Sequence, residues 1–152
     1  MKYYSTNRRT PEVPLREAVI ASMALDNGLY MPHRIERLPD AFFDGIAGES
    51  LHRIACKAAD AFFGEDIEPE TLRRIVHETF NFDIPTVKVD ENIWALELFH
   101  GPTMAFKDVG ARFMARMLSL FVGESDEGRP VTVLVATSGD TGGAVANGFL
   151  GV

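Results

Sequence analysis

The stretch "HGPTMAFKDVG" places a lysine, Lys107, where a loop gives way to a helical pattern. Ala105, Phe106 and Val109 surround it with apolar groups. An amine among apolar groups is poorly hydrated as a cation, and the positive end of a helix dipole also disfavours the cation. Both effects favour the neutral, nucleophilic amine that forms an imine with a carbonyl compound. A plainer interpretation is a solvated lysine near a helix start, paired with Asp108.

A second stretch, "ATSGDTGGA", follows the apolar run "VTVLV" and precedes a further helical pattern. A Gly-rich turn between a strand and a helix presents free backbone N–H groups at the positive end of the helix dipole, where phosphates and carboxylates bind. Both the P-loop ending Gly-Lys-Ser/Thr and the GxGxxG pattern are missing from this stretch. A capped tight turn is the plainer interpretation. Backbone freedom and hydroxyl groups would come from Gly139, Gly142, Gly143, Ser138 and Thr141.

Asp140 lies in an Asp-Thr-Gly triplet, which also marks the catalytic carboxylate of aspartic proteases. Such a protease needs two aspartates that share a proton, and its fold is all-β. This chain has several strong helical patterns, and one of them starts directly after the triplet. The triplet is therefore interpreted as a ligand-holding turn.

Other residues with chemical potential give weaker signals. Arg112 and Arg116 lie one turn apart on the Lys107 helix and could help to hold an anionic substrate, although a solvated helix face is the plainer interpretation. Cys56, in "LHRIACKAADAFF", is interpreted as a small buried apolar residue. The four histidines are scattered without metal-ligand spacing, so we predict no metal site.

Composition narrows the class of protein. The 152 residues are 46% apolar with a net charge of -7, which suits a globular domain and disfavours nucleic acid as a partner. We expect no membrane partner, because no apolar run reaches the roughly 20 residues that span a bilayer. A secretory signal is also missing from the N-terminal stretch, and one cysteine fits a reducing compartment. We predict a cytoplasmic protein.

The elements that would position these residues differ between the two halves of the chain. Residues 1–85 are predicted to form a mainly helical N-terminal domain. Its predicted apolar stripes are Leu15, Val19 and Met23, ended by Asn27-Gly28; Leu51, Ile54, Ala55, Ala58 and Phe62, ended by Gly64; and Leu72, Ile75, Val76 and Phe80, after Pro69 in the first turn.

Residues 86–152 are predicted to form the first part of an α/β domain. "TVKV" and "IWALEL" read as short strands that pair in a hairpin. A long helix, "FKDVGARFMARMLSLFVG" from Phe106 to its stop at Gly123, follows, with Val109, Phe113, Met117, Leu120 and Phe121 inward. After the polar loop "ESDEGRP" come a strand at "VTVLVA", buried on both faces, and a last helix.

Strand, helix, strand, helix predicts a doubly wound parallel sheet. The fold class is therefore α/β, with a helical N-terminal region. About three strands would leave such a sheet with uncovered edges, so we expect the chain to be the N-terminal part of a longer protein.

Taken together, the motifs resemble the threonine synthases, a family of pyridoxal-phosphate enzymes. "LELFHGPTMAFKDVGARFMA" is similar to the segment with the cofactor lysine, and "VLVATSGDTGGAVA" is similar to the next segment in those enzymes. "YYSTN" and "DNGLYMP" also match the way the family begins. The resemblance runs from Tyr3 to the end of the chain, and the joint occurrence of these motifs is highly specific.

The resemblance implies the fold of the tryptophan-synthase-β type and a carbon–oxygen lyase that converts O-phospho-L-homoserine and water to L-threonine and phosphate. Lys107 would form a Schiff base with pyridoxal phosphate and later move protons on the substrate, with Phe106 beside it. Asp140 would face the cofactor's 3-hydroxyl, where many relatives have Asn; an ionised Asp repels the phenolate unless a proton is shared. The substrate carboxylate would bind Thr137, Ser138, Gly139, Thr141 and Gly142.

The family's cofactor-phosphate loop is a second Gly-rich segment, which these 152 residues do not contain. We therefore expect the isolated chain to be inactive and to bind pyridoxal phosphate weakly or not at all. Two alternatives stay open: a related pyridoxal-phosphate dehydratase acting on threonine or serine, and a non-catalytic homologue that serves as a binding module. The N-terminal motifs argue against the dehydratase.

Overall fold

The computed structural model describes residues 1–123 and 131–152, so the predicted polar loop "ESDEGRP" lies outside the described residues. Helices and two small sheets form a mixed α/β structure, which confirms the predicted class. The chain forms two compact units, Met1–Val76 and His77–Val152. The sequence-based division at residue 85 rests on composition rather than compactness and stays a prediction.

The first unit contains a three-stranded antiparallel sheet in the order β2-β1-β3. Its strands are β1 (Lys2–Ser5), β2 (Val13–Pro14) and β3 (Tyr30–Pro32). Tyr3 pairs with Pro32 and Ser5 with Tyr30, so the two N-terminal family-like motifs are neighbouring strands. Their co-occurrence in the sequence therefore has a structural cause.

Asp26 ties these two motifs together just before β3. Its carboxylate accepts hydrogen bonds from Ser5 Oγ at 2.6 Å, from the Arg9 N–H at 2.9 Å and from the Gly28 N–H at 3.0 Å. A Cβ at Gly28 would lie 2.0 Å from Ser5 Oγ, so only glycine permits this approach. These donors lower the pKa of Asp26, the Ser5 hydroxyl contributing most.

The helices of the first unit match the predicted segments better than the predicted faces. α1 (Leu15–Ala21) ends at Ser22, whose φ is 64°, and not at Asn27 as predicted. Met23 is consequently exposed, since it lies beyond the helix and outside the predicted stripe. A short α2 (Asp40–Gly45) and a 3-10 turn (Ile46–Gly48) follow.

The ends of the next two helices follow from local signals. α3 (Leu51–Phe63) begins after Ser50, whose side chain accepts a hydrogen bond from the Arg53 N–H, and ends at Gly64 as predicted. Its buried residues are Ala59 and Ala61, whereas the predicted Ala58 is exposed. α4 (Pro69–Thr79) begins at the predicted proline. Leu72, Ile75 and Val76 are buried as predicted, and Phe80 is half-buried.

The second unit contains the predicted hairpin and the two predicted helices. β4 (Thr86–Asp90) pairs antiparallel with β5 (Ile93–Leu96). α5 (Lys107–Gly123) begins one residue after the predicted start at Phe106, and α6 is Asp140–Gly148. On α5, Met117 and Phe121 are buried as predicted, while Val109, Phe113 and Leu120 are only half-buried. The buried set of α5 also includes Asp108, Ala111, Arg112 and Ala115, which the apolar pattern did not indicate.

The predicted strand "VTVLVA" is not formed in this structure. Residues 131–137 are exposed and belong to no helix or strand, and Leu134 is 90% exposed. A strand exists through pairing with a neighbour, and both described sheets are antiparallel assemblies of other segments. An apolar run therefore did not suffice to make a buried strand here.

Small residues bring α5 and α6 together. Ala111 of α5 packs with Ala144 and Val145 of α6, and Phe149 covers this cluster. A Cβ at Gly148 would lie 3.0 Å from the carbonyl carbon of Ala111, so the helix backbones cross closely at that point. The crossing holds the second half of α6 against the first half of α5.

Candidate active site

Lys107 is the first residue of α5, and Asp140 is the first residue of α6. The Lys107 Nζ lies 4.0 Å from Asp140 Oδ2. It also lies 4.4 Å from the centroid of the Phe106 ring, within the range of a cation–π contact. The lysine side chain is 31% exposed and the aspartate 79%, so this ion pair is partly solvated. The structure thus brings the two sequence motifs into one site.

The turn that leads into α6 has the geometry that its glycines allow. Gly139 has a φ of 152°, and its N–H donates to Thr137 Oγ1 at 3.1 Å. A Cβ at Gly142 would lie 2.5 Å from the Thr137 Cγ2 methyl, so a side chain there would displace the threonine. Ser138 and Thr141 are exposed. The turn therefore leaves the first N–H groups of α6, which lack partners within the helix, accessible to an anion.

An apolar cavity of about 510 Å³ adjoins the ion pair. Lys107 is the only ionisable residue among those that line it, and Thr141 is the one hydroxyl. Apolar clefts with few polar groups are typical of small-molecule sites. The lining consists of Phe80, Leu98, Phe106, Lys107, Val109, Gly110, Ala111, Met114, Thr141 and Val145.

Asp108 plays a part that the sequence interpretation missed. It is fully buried, and it accepts hydrogen bonds from the Thr103 N–H at 2.9 Å and from Thr103 Oγ1 at 2.6 Å. The carboxylate thus binds the loop before α5, whereas the sequence interpretation paired it with Lys107. The sequence signal that could have predicted this contact is the spacing of five residues between Thr103 and Asp108, which suits a hydrogen bond between a loop and a helix start.

Arg112 and Arg116 hold the end of α4. Arg112 donates from Nη2 to the Glu78 carbonyl at 2.6 Å and from Nε to the Thr79 carbonyl at 3.1 Å. Arg116 Nε lies 2.9 Å from Glu78 Oε2 and its Nη1 donates to the Arg112 carbonyl. Burial lowers the pKa of Arg112. Both expectations, a solvated face and an anion clamp, are therefore wrong for Arg112, whose hydrogen bonds are to backbone carbonyls.

Cys56 is half-buried, in a cleft between α3 and α4 that also contains Lys57 and Arg73. Burial raises the pKa of its thiol. Among the described residues, no three His, Cys, Asp or Glu side chains are arranged to hold a metal ion.

Comparison with known proteins identifies the family. A sequence model described as "Threonine synthase N terminus" matches residues 2–80, which is just over half of the chain. The chain belongs to the threonine synthase family. The matched segment contains both N-terminal strand motifs and most of the predicted helical region.

A curated relative and two solved structures extend the likeness beyond residue 80, over nearly the whole chain. The chain is 39% identical to the threonine synthase of Escherichia coli K12, over all of this chain and 35% of that protein. The crystal structure of the Escherichia coli enzyme covers 99% of this chain with a TM-score of 0.88. A structure described as PLP-bound threonine synthase from Brucella melitensis, 36% identical, covers 98% with a TM-score of 0.89.

The chain spans about a third of the length of the curated relatives that it matches. The apolar cavity is lined in part by Phe106, Lys107 and Thr141, and Asp140 forms an ion pair with Lys107. The adjoining turn contains the other predicted site residues, Thr137, Ser138, Gly139 and Gly142. Their roles in catalysis stay predictions.

Proposed function

We propose that the whole protein containing this chain converts O-phospho-L-homoserine and water to L-threonine and phosphate, with pyridoxal phosphate as cofactor. The observation that carries the proposal is the 4.0 Å approach of Lys107 Nζ to Asp140 Oδ2. The amine of Lys107 thus lies beside a Gly-rich helix start, in a chain of the threonine synthase family. Neither motif alone would support this reaction.

The residues present fit pyridoxal phosphate. The cofactor has a reactive aldehyde and an aromatic ring, so its site needs an accessible amine beside apolar surface. Lys107 supplies the amine at a cavity whose other lining residues are uncharged. Phe106 adds an aromatic face next to that amine.

When bound, the cofactor supplies an electron sink for carbanions next to the amino group. Lys107 would hold the cofactor through its amine and would move protons on the substrate carbon atoms. Asp140 would lie beside the cofactor's 3-hydroxyl, and the helix start at Thr137 to Gly142 would bind the substrate carboxylate. The overall reaction breaks the C–O bond to phosphate and takes the new hydroxyl from water, which makes the enzyme a carbon–oxygen lyase. We also propose a cytoplasmic location, consistent with the single cysteine.

A substrate assay on the whole protein tests the proposal. We expect phosphate and threonine to be released from O-phospho-L-homoserine, with no 2-oxobutyrate formed from threonine alone. Lys107→Arg keeps the positive charge but cannot carry the cofactor bond, so kcat falls by a factor of at least about 1,000. Lys88→Arg is the matched control, because Lys88 lies on the exposed β4 strand, and it keeps native kcat.

Deamination of threonine without phosphate release would instead support the dehydratase alternative. Full activity in Lys107→Arg would exclude the proposed role of the lysine. The inactivity of the isolated 152-residue chain stays a prediction, and the same phosphate assay on that chain checks it.

A further inference from the structure

Asp108 is a buried carboxylate directly beside Lys107. Both of its oxygens are engaged by one residue of the preceding loop: Oδ2 accepts from the Thr103 N–H at 2.9 Å and Oδ1 from Thr103 Oγ1 at 2.6 Å. A buried carboxylate is costly unless donors surround it, so this arrangement fixes the loop and the helix start to each other.

The loop closes tightly over this carboxylate. A Cβ at Gly101 would lie 2.5 Å from Asp108 Oδ2 and 3.0 Å from the Phe82 ring, so only glycine allows the closed loop. The Met104 N–H donates to the Gly101 carbonyl at 3.0 Å, and Met104 has a φ of 56°. The backbone that leads to Lys107 is therefore fixed over a full turn.

The helix end of this connection is fixed as well. Arg112, one turn after Asp108 and also buried, donates to the Glu78 and Thr79 carbonyls at the end of α4. Sliding or rotating α5 would break these hydrogen bonds. Asp108 thus joins a constrained loop to an anchored helix, and Lys107 lies at the junction.

We propose that Asp108 is a positioning residue that, through Thr103, aims the Lys107 amine into the apolar cavity. This inference rests on the proposed function, since it assigns Asp108 a purpose in holding the cofactor lysine. Asp108 touches no reacting atom; it acts by limiting the directions in which the amine can point. Misplacement of a reacting group by about 1 Å is sufficient to reduce a rate by roughly 100-fold.

The test uses the whole protein loaded with pyridoxal phosphate. Asp108→Ala removes both hydrogen bonds, Thr103→Val removes the hydroxyl at nearly constant shape, and Thr103→Ser keeps it. Ser119→Ala, at an exposed position of α5, is the control. The measurements are kcat, KM and the pH midpoint of the visible absorbance of the lysine-linked cofactor.

We expect kcat to fall by roughly 10- to 100-fold in Asp108→Ala and less in Thr103→Val, with KM within about threefold of native. The absorbance midpoint shifts in both variants, because the amine changes its distance to Asp140. Thr103→Ser restores native kcat and midpoint, which a general loss of stability would not do. If Asp108→Ala does not fold, the Thr103 pair decides.

Native kcat and midpoint in Thr103→Val, with a normal absorbance band in the unsubstituted protein, would overturn this inference and leave the proposed function intact. No lysine-linked absorbance in the unsubstituted protein would overturn the proposed function, and this inference with it.

Discussion

Arg112 is only 8% exposed, so a charged side chain occupies a position where a helix normally buries an apolar one. Its two hydrogen bonds are donated to the Glu78 and Thr79 carbonyls at the C-terminal end of α4. Arg112→Ala should lower the free energy of unfolding by roughly 2–4 kcal/mol, measured by urea denaturation. Arg73→Ala, which breaks an exposed ion pair with Glu70, should cost less than about 1 kcal/mol. Equal costs for the two variants would contradict this account.

Asp26 makes the stability of the first unit depend on pH at the acidic end of the range. Because its hydrogen bonds lower its folded pKa, its stabilising effect is complete above the ordinary value of 3.8 and is lost as the pH falls through the folded value. Asp26→Asn should therefore be less stable than the native protein at pH 7, and the difference should shrink as the pH falls below 3.8. Thermal unfolding from pH 7 to pH 2 measures it; a difference that is constant over this range would refute the assignment.

Candidate site residues could be named from sequence where the signal is local. Lys107 became a candidate because a loop, apolar neighbours and a helix start all lie within a few residues of it. The burial of Asp108 and Arg112 was not predictable, because it depends on Thr103, Glu78 and Thr79 and on how the helices pack.

The crossing of α5 and α6 links Gly148 to the candidate site. Gly148 lets the two backbones meet, and that contact places Asp140 near Lys107. Gly148→Val should destabilise the protein by about 1–3 kcal/mol, because the added methyls overpack a backbone contact. The same substitution should lengthen the ion pair between Lys107 and Asp140. In the whole protein, kcat should therefore fall by more than the loss of folded protein explains.

Gly143→Ala is the matched control on the same helix, where an added Cβ meets nothing within 4 Å. It should be neutral or slightly stabilising, since alanine favours helix over glycine. Chemical denaturation of both variants measures the contrast. A Gly148→Val variant as stable as Gly143→Ala would show that the crossing is loose.

Some element ends and one strand pairing followed from local signals. Gly64 ends α3, Pro69 begins α4 and β4 pairs with β5 as predicted, whereas α1 ends at Ser22 and not at Asn27. The apolar run at Val131 to Ala136 failed as a predicted strand, because β-structure depends on a partner that the segment itself does not encode.

At the scale of the whole chain, the hairpin of the second unit exposes an apolar surface. Val89, Ile93, Trp94 and Leu96 are each more than half exposed. Ile93 and Trp94 are consecutive in β5, so this apolar surface is divided between the two faces of the hairpin. Exposed apolar surface marks an interaction site or a tendency to associate. The 152-residue chain should therefore show a mass that rises with concentration in sedimentation experiments. Substituting Val89→Lys and Leu96→Lys together should restore a concentration-independent monomer mass; an unchanged profile would assign the association to another surface.

The α/β fold class and the family could be predicted from sequence, because the motifs are spread along the chain and occur together. Structural similarity to threonine synthases at TM-scores of 0.88 and 0.89 agrees with that assignment. The parallel pairing predicted for a doubly wound sheet is not among the described strand pairs, which form two small antiparallel sheets.

The central claim is that Lys107 carries pyridoxal phosphate. Borohydride reduction of the whole protein, followed by proteolysis and mass spectrometry, tests it most directly. We predict a reduced phosphopyridoxyl group on the peptide that contains Lys107, and none on the peptide that contains Lys88. A phosphopyridoxyl group on another lysine, or on none, would contradict the account.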